Sequence, residues 1–369
     1  MNSVKRIMFQ LFIGISALLL AACGGGGGGG GGVSAIPTAP VVPVSIGAAN
    51  AELISADVLG TVGIITGFML VGDMLPAVRV DAAGSEFNYP DFFVQQLRRL
   101  PGMDMSSNDV SVVGAFIPPT SEPCDNVGGT MTISGDLDVV FPEWVPTVGD
   151  QITIKYEDCE LAGIVLNGTM SLTITTVEGD VINEQPPYPI ILGIDVALTV
   201  FSVEAGGQVA YANGDMSMLT SLVELGYETL ELWGNSLTTW GNGEVETLTD
   251  YKYFLDENSA LPEPVYSYEL EQGTLASSII GGAVSFQMTK PGTIDPSVPF
   301  LGVDGGDPYD GEVWITTSAN TSLAHITALS NSVDVEIDVY LDDVIVNNIM
   351  TTWEHMEMCL LNPAVCYRQ

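Results

Sequence analysis

The chain of 369 residues is long enough for one large β domain or two ordinary ones. It carries 46 Asp and Glu residues against 9 Lys and Arg, and the resulting formal net charge of -37 repels nucleic acid and disfavours anionic ligands. With 46% hydrophobic and 15% charged residues it is too apolar for a disordered protein. No segment after the N-terminal region reaches the ~18 to 20 apolar residues of a membrane helix, so we expect a globular body.

Residues 1–22 have the organisation of a secretory signal peptide. Lys5 and Arg6 supply the positive start, residues 7–20 form an apolar stretch, and Ala21 and Ala22 provide small residues at its exit. The apolar stretch is short for a permanent membrane helix. We therefore predict that the mature chain begins after residue 22.

The four residues Leu20, Ala21, Ala22 and Cys23 resemble the lipobox of bacterial lipoproteins. This resemblance implies cleavage before Cys23 and lipid on its sulfur, and the following glycine implies an outer-membrane destination in a Gram-negative cell, facing either the periplasm or the surface. Residues 23–44 then form a tether of nine glycines and a proline-bearing stretch, which is flexible at first and stiffer later.

Four further cysteines favour disulfides in such an oxidising compartment. Cys124, Cys159, Cys359 and Cys366 allow three connectivities, and proximity in sequence favours Cys124 with Cys159 and Cys359 with Cys366. A zinc site is not indicated, because no short C-x-x-C spacing is present.

The remaining chain divides into a helical segment, residues 45–105, and a β-rich domain, residues 106–369. The stretches "NAELISADVLGTVGIITGFMLVGDML" and "DFFVQQLRRL" have helical patterns, the first apolar nearly all round and therefore buried. Alternating stretches such as "QITIKYE", "TMSLTITTV" and "VDVEIDVYL" follow, separated by short turns. We predict a mainly β fold with one large antiparallel sheet, either a sandwich or a curved, open or barrel-like meander, and an N-terminal helical segment packed on it.

A short pattern recurs at irregular intervals along the β-rich part. It is "GTMTI" from Gly129, "GTMSL" from Gly168, "GDMSM" from Gly214 and "GAVSF" from Gly282. The unequal spacing argues against a solenoid or propeller, whose units recur at a fixed period. A shared strand-entry pattern or a duplicated hairpin would each explain it.

The lipobox, the polyglycine stretch, "SIGAANAELISADVL", the cysteine pair around "GDQITIKYEDCELAGIVLNGTMSL" and "EVWITTSANTS" together resemble a group of polyglycine-tethered lipoproteins of Gram-negative bacteria. The resemblance implies a location and an architecture and no particular reaction.

Few residues point to chemistry. The nucleophile elbow, the zinc-protease motif, the P-loop and the dinucleotide fingerprint are all missing, so we name no catalytic residue. His325 and His355 are expected to be packed and hydrogen-bonded. A group of aromatic residues is expected to pack in the core, with a platform for a sugar or an apolar ligand as the alternative: Trp233, Trp240, Tyr251, Tyr253 and Phe254.

The loop "GVDGGDPYDGE" places hard oxygen ligands close together in sequence. Asp304, Asp307, Asp310 and Glu312 are candidate Ca²⁺ ligands, although their spacing is not that of an EF-hand. The alternative is a polar loop whose aspartates make local turns. We expect no cofactor other than this possible Ca²⁺.

Three functions are compatible with these observations. The first is a lipid-anchored, non-enzymatic binding or structural module of the cell envelope, whose partner is an apolar, glycan or protein ligand. The second is a periplasmic-type carrier that holds a lipid or another apolar ligand in a curved-sheet groove plugged by a helix. The third is a glycan hydrolase that uses paired carboxylates.

Overall fold

The computed structural model describes residues 35–67, 115–124, 128–137, 146–161, 164–181, 187–205, 208–261, 265–291, 298–303 and 307–366. The predicted signal peptide, Cys23 and the predicted helix "DFFVQQLRRL" lie outside these residues. The helices within them are α1 (Ala51–Gly67) and α2 (Trp353–Leu361), and a 3-10 turn (Pro363–Val365) follows α2. The strands are β1 (Ala115–Pro123), β2 (Thr130–Leu137), β3 (Gln151–Leu161), β4 (Ile164–Glu178), β5 (Ile190–Ala205), β6 (Gln208–Glu224), β7 (Tyr227–Gly241), β8 (Glu244–Asn258), β9 (Val265–Ser277), β10 (Gly282–Gln287), β11 (Phe300–Val303), β12 (Glu312–Thr316), β13 (Ser322–Ala328), β14 (Asp334–Leu341) and β15 (Val344–Thr352).

The strands form one antiparallel sheet in which almost every strand pairs with the next one along the chain. The exception is β11, which pairs with the first half of β9, while β10 pairs with the second half and continues to β12. In the described part of the chain, the edge strands β1 and β15 do not pair with each other, so the sheet stays open. The mainly β fold with an N-terminal helix is confirmed.

Alternation along the strands separates a buried face from a second, more exposed face. In β14, for example, Val335, Ile337 and Val339 are buried while Asp334 and the other acids point the opposite way. This arrangement is the one that period-two patterning predicts for a sheet with one apolar side. The buried residues of the sheet, α1 and α2 join in one apolar core.

The sheet curves around α1. The helix contacts β13 and β14 on one side, and on the other side its Thr61 hydroxyl lies 2.8 Å from the Tyr253 hydroxyl of β8. In a flat sheet, β8 and β14 would stand about 24 Å apart, at roughly 4.8 Å for each step between strands. A helix is only about 10 to 12 Å wide, so contact with both strands requires the sheet to wrap around it.

A row of bulges supplies this curvature, and it explains the recurring sequence pattern. Asp158 in β3 and Val200 in β5 have φ values of 49° and 45°, and the register shifts at both places. Their backbone N–H groups donate to the Oδ1 atoms of Asn167 and Asn213, at 2.8 and 3.2 Å. Each asparagine stands before the glycine that begins a "GTMSL" or "GDMSM" stretch, so these two copies mark one bulge device used twice.

The same two copies place methionines on the buried face. Met170 follows the glycine of one copy, and Met216 and Met218 follow the glycine of the other. Met131, from the first copy, lies on the same face in β2, and all four are at most 3% exposed. The interior of the curve is therefore lined in part by flexible, polarisable side chains that adapt to irregular shapes.

The C-terminal helix α2 was not predicted. Thr352 caps it by accepting a hydrogen bond from the backbone N–H of His355, and the helix packs against α1. The Cys359–Cys366 disulfide ties its last turn to the following 3-10 turn, and the Cys124–Cys159 disulfide joins the end of β1 to β3. Both pairings favoured by sequence proximity are confirmed. Within the described ranges, neither helix has the length and apolarity needed to cross a membrane.

We predict that Gly168→Ala will lower the free energy of unfolding by at least about 3 kcal/mol in a urea titration. Gly168 has a φ of 98°, and a Cβ there would lie 2.2 Å from the backbone oxygen of Val200, so the bulge would have to open. Gly149→Ala is a matched control, because Gly149 has a φ of 99° but no atom within 4 Å of the added carbon. It should cost only the backbone term of about 1 to 2 kcal/mol. Equal losses in the two variants would contradict the role of close strand packing at the bulge.

Candidate functional site: the polar seat of helix α1

Helix α1 buries polar side chains in the middle of the apolar core. Glu52, Ser55, Asp57 and Thr61 are each at most 2% exposed. Burying such groups is unfavourable unless they are hydrogen-bonded or paired, so their contacts are the most informative feature of the interior. We call these four residues and the groups that face them the polar seat of α1.

Two of the four have identified partners. The Thr61 hydroxyl donates to the Val58 carbonyl at 2.5 Å and meets the Tyr253 hydroxyl of β8. Glu52, at the start of the helix, lies with its Oε1 3.4 Å from Nε2 of His355 in α2. These contacts hold α1 to the sheet on one side and to α2 on the other.

Asp57 is the exceptional member. Its polar neighbours are the Glu246 carboxyl of β8 and the Ser277 hydroxyl at the end of β9, both at most 6% exposed. Yet neither Oδ1 nor Oδ2 has a hydrogen bond of ordinary geometry to a described residue, and the same is true of the Ser55 hydroxyl. Two carboxyl groups therefore face each other in the core with oxygen atoms unpartnered.

Burial shifts the titration of both carboxyl groups. Removal from water raises the pKa of Asp57 to about 7, although the nearby Ser277 hydroxyl and Glu246 carboxyl oppose part of this rise. Burial also raises the pKa of Glu246 well above its usual range, and the neighbouring Asp57 raises it further. Below neutral pH the pair therefore holds protons that the same residues would have lost in water.

The other charged groups around the pair add to this effect. Glu244, two residues earlier in β8, has its own pKa raised by burial and acts on both Asp57 and Glu246. His355 of α2 faces Glu52, and the acids of β14 lie on the face opposite to the core. On β13, His325 contacts Glu312 on that same outer face. Of the charged groups named here, Glu244 is therefore the one that acts on the Asp57–Glu246 pair, and it is acidic.

The predicted Ca²⁺ ligands lie elsewhere and have separate surroundings. Asp304 lies outside the described residues. Asp307 is half-buried with its pKa raised by burial, and Oδ1 of Asp310 accepts the Gly311 N–H at 2.9 Å. Glu312 contacts Nε2 of His325 at 2.7 Å. The three described carboxyl groups do not gather into a group able to hold an ion, and the Ca²⁺ site stays a prediction.

In the described part of the chain, the group with metal-ligand proximity is formed by His355, Cys359 and Cys366, whose ligand atoms lie within 4.8 Å of one another. The two cysteines form a disulfide, which removes the thiolates that metals bind. His325 stacks on Trp314 with ring centres 3.9 Å apart. His325 is therefore packed and hydrogen-bonded, as predicted, whereas the His355 side chain is 38% exposed and lies 3.4 Å from Oε1 of Glu52.

The aromatic residues noted in the sequence do not share one surface. Tyr251 and Tyr253 are buried in the core. Trp240 stacks on Tyr211, with ring centres 5.2 Å apart, on the opposite face of the sheet. This division favours packing over a single sugar platform.

No family model matches this chain, and neither a curated protein nor a solved structure is similar to it. The polar seat must therefore be interpreted from its own chemistry.

Sequence reasoning did not find the polar seat, although a signal was present. Ser55 and Asp57 interrupt a helix that is otherwise apolar nearly all round, and Glu246 occupies the inward phase of an alternating strand. An acid at an inward position of each element is the pattern that would have pointed to a buried pair. The sequence pattern does not indicate that Asp57 and Glu246 are close to each other in the folded protein.

We predict that Asp57→Asn will stabilise the protein at pH 8 by about 2 kcal/mol and flatten its pH dependence. An unfolded Asp titrates near 3.9, so between this value and about 7 the folded protein binds more protons than the unfolded chain. Wild-type stability should fall as the pH rises through this window, by at most about 1.4 kcal/mol per pH unit for this group. Asparagine cannot ionise, so that slope should be missing in urea titrations from pH 4 to 8.

Asp195→Asn is the control for this experiment. Asp195 is an exposed acceptor of the Ser217 hydroxyl, at 2.6 Å, and its replacement should leave the pH profile parallel to that of the wild type. Parallel profiles for Asp57→Asn and the wild type would refute the assignment of a proton to the buried pair.

Proposed function

We propose that this protein is a lipid-anchored, non-enzymatic binding module of the cell envelope, and that its ligand is apolar and occupies the concave face of the sheet in place of α1. The observation that carries the proposal is the position of α1. This helix packs inside the curve of an open sheet, against β8, β13 and β14. It buries Ser55 and Asp57 there, although their side chains have no hydrogen bond to a described residue. The anchor at Cys23 and the outer-membrane location follow from the lipobox resemblance and are part of the proposal.

The polar groups that α1 buries make its docked position less stable, which suits a helix that can leave the core. An unpartnered buried polar group costs about 1 to 3 kcal/mol, and Ser55 and Asp57 each bring one into the core. Apolar residues at these positions would hold α1 more firmly. Their absence indicates a helix whose docked state is only moderately favoured.

The lining of the curve suits an apolar ligand of variable shape. Met131, Met170, Met216 and Met218 lie on β2, β4 and β6 of the buried face, to one side of the strands β8, β13 and β14 that α1 contacts. Methionine adapts to different partners more readily than branched side chains do. An acyl chain or a similarly flexible apolar group would fit such a surface. The strongly negative net charge disfavours a ligand with an anionic head group.

Glycan hydrolysis has less support from the same residues. Glycosidases separate their two carboxyl groups by about 5 to 9.5 Å, with sugar or water between them. Asp57 on α1 and Glu246 on β8 are direct neighbours and both are buried, so displacement of α1 would separate the pair rather than expose it as a unit.

Binding can be tested at pH 8 with an uncharged fluorescent acyl probe, such as a pyrene-labelled monoacylglycerol, because a fatty acid would carry a carboxylate at this pH. If α1 must leave for the probe to enter, Asp57→Asn should weaken probe binding by about tenfold, because it stabilises the docked helix by at least about 1.4 kcal/mol. Thr61→Val should strengthen binding several-fold, since it removes the hydroxyl contact with Tyr253 and loosens the seat. Opposite shifts from two changes in one helix are specific to this mechanism.

Thr153→Val serves as the control, because it removes a comparable hydroxyl pair with Ser171 on the other face of the sheet. It should leave probe affinity unchanged. Failure of every variant to take up the probe, together with native mass spectra that show no co-purified lipid, would rule out the apolar-ligand proposal.

The anchor is tested by cell fractionation. The wild-type protein should be found in the outer-membrane fraction, and Cys23→Ser should move it to the soluble or uncleaved precursor fraction, because the site of lipid attachment is removed. Recovery of the wild-type protein in the soluble fraction would disprove the lipid anchor, whatever the outcome of the probe experiment.

A further inference from the structure

The N-terminal chain enters the fold at one end of the sheet. Pro43 forms an isolated parallel bridge with Ala283 near the start of β10, where the Val44 N–H donates to the Ala283 carbonyl and the Ala283 N–H donates to the Val42 carbonyl. Because the pairing is parallel, the residues before Pro43 run out past the end of the sheet at which β10 begins. We call this the tether end.

The β14–β15 hairpin turns at the same end. The Ile46 N–H donates to the Ser322 hydroxyl at the start of β13, Ser322 pairs with Leu341 at the end of β14, and Leu341 pairs with Val344. The first residues of β15 thus lie close to the place where the chain from Cys23 arrives.

Large apolar side chains are exposed at the tether end. In β15, Val344, Ile345 and Val346 are 62%, 50% and 57% exposed, and Val41 and Val42 are 71% and 69% exposed. Val344 and Ile345 are consecutive and point to opposite faces, so exposure of both shows that this part of β15 has solvent on both sides. Val346, also exposed, is the extra residue where the register with β14 shifts. As an edge strand, β15 also presents one row of backbone groups that no described strand pairs with.

We propose that the tether end, with Val344, Ile345 and Val346 at its centre, docks on the lipid surface to which Cys23 is anchored. The inference rests on the lipid anchor proposed above. It identifies the lipid as the occupant because the tether leaves the fold beside this apolar surface, with 17 residues between Cys23 and Val41.

The tether allows a surface with low membrane affinity to keep the protein body in contact with the membrane. A short flexible linker holds its two ends at an effective concentration in the millimolar range. A few exposed valine and isoleucine side chains would not hold a free protein on a membrane, but at that concentration they can keep the body in contact for much of the time. The acidic net charge and the aspartates of the β14–β15 turn favour zwitterionic over anionic head groups.

The test uses the mature chain coupled through Cys23 to a maleimide lipid. Cys23 is the one cysteine outside the two disulfides, so coupling is specific. On vesicles of phosphatidylcholine and phosphatidylethanolamine, backbone hydrogen exchange at residues 344–348 should slow at least fivefold relative to the uncoupled chain. Exchange at residues 223–227 is the internal control, since Leu225 is 76% exposed at the opposite end of the sheet.

Variants make the assignment specific. The triple variant Val344→Ser, Ile345→Ser and Val346→Ser should lose the slowing while it stays coupled, and Leu225→Ser should keep it. Addition of anionic phosphatidylglycerol to the vesicles should reduce the slowing in the wild-type protein. Because coupling is chemical, these results do not depend on lipidation in the cell, and failure of the anchor would appear separately in the fractionation experiment.

Three results would overturn the proposal. One is equal exchange of residues 344–348 in the coupled and uncoupled protein. Another is slowing at residues 223–227 instead. The third is slowing that needs no vesicles and rises with protein concentration, which would assign this edge to a second copy of the chain. All three are read from the wild-type protein, so they stand even if the triple variant does not fold.

Discussion

The architecture depends on the bending of one very long antiparallel sheet. Strands of 15 to 17 residues such as β4, β5, β6 and β7 would twist smoothly, without a sharp local bend, if their ladders were regular. The bulges at Asp158 and Val200, each held by an asparagine on the next strand, bend and twist these strands where they cross the middle of the sheet. Curvature gives the sheet a concave face. Helix α1, the buried methionines and the buried carboxyl pair all lie on that face.

The second feature is a pair of acidic side chains buried in an otherwise apolar core. The core is apolar and continuous, yet α1 carries Asp57 into it opposite Glu246 with neither a cation nor a full set of donors at hand in the described residues. In such surroundings a carboxylate is most readily neutralised by binding a proton. The charge of the Asp57–Glu246 pair therefore depends on the pH. The seat of α1 is therefore the part of the core most sensitive to the environment of the protein.

The sequence allowed the mainly β class, one large antiparallel sheet, α1 and both disulfides to be predicted, because these follow from local patterns, but it left a sandwich and an open or barrel-like meander as alternatives. Alternation in "VDVEIDVYL" defines a strand with one apolar face, and proximity of cysteines was a sufficient guide to their pairing. The polar seat was not predicted, since it results from a contact between α1 and β8, which lie almost 190 residues apart along the chain. Glu246 in a strand and Asp57 in a helix each look like ordinary acidic residues until the curvature brings them together. Helix α2 was missed for a related reason: its nine residues are stabilised mainly by packing on α1 and by the Cys359–Cys366 bond.

The order of elements along the chain has a consequence for assembly. Each strand of the meander can add to the one before it as the polypeptide is delivered, but α1 appears before any of the strands that will enclose it, and β13 and β14 come last. The helix must wait while most of the sheet forms. During that time we expect the carboxylate of Asp57 to lower the tendency of an otherwise apolar segment to associate with other chains. The acid that destabilises the finished core would therefore protect its first helix before the core forms.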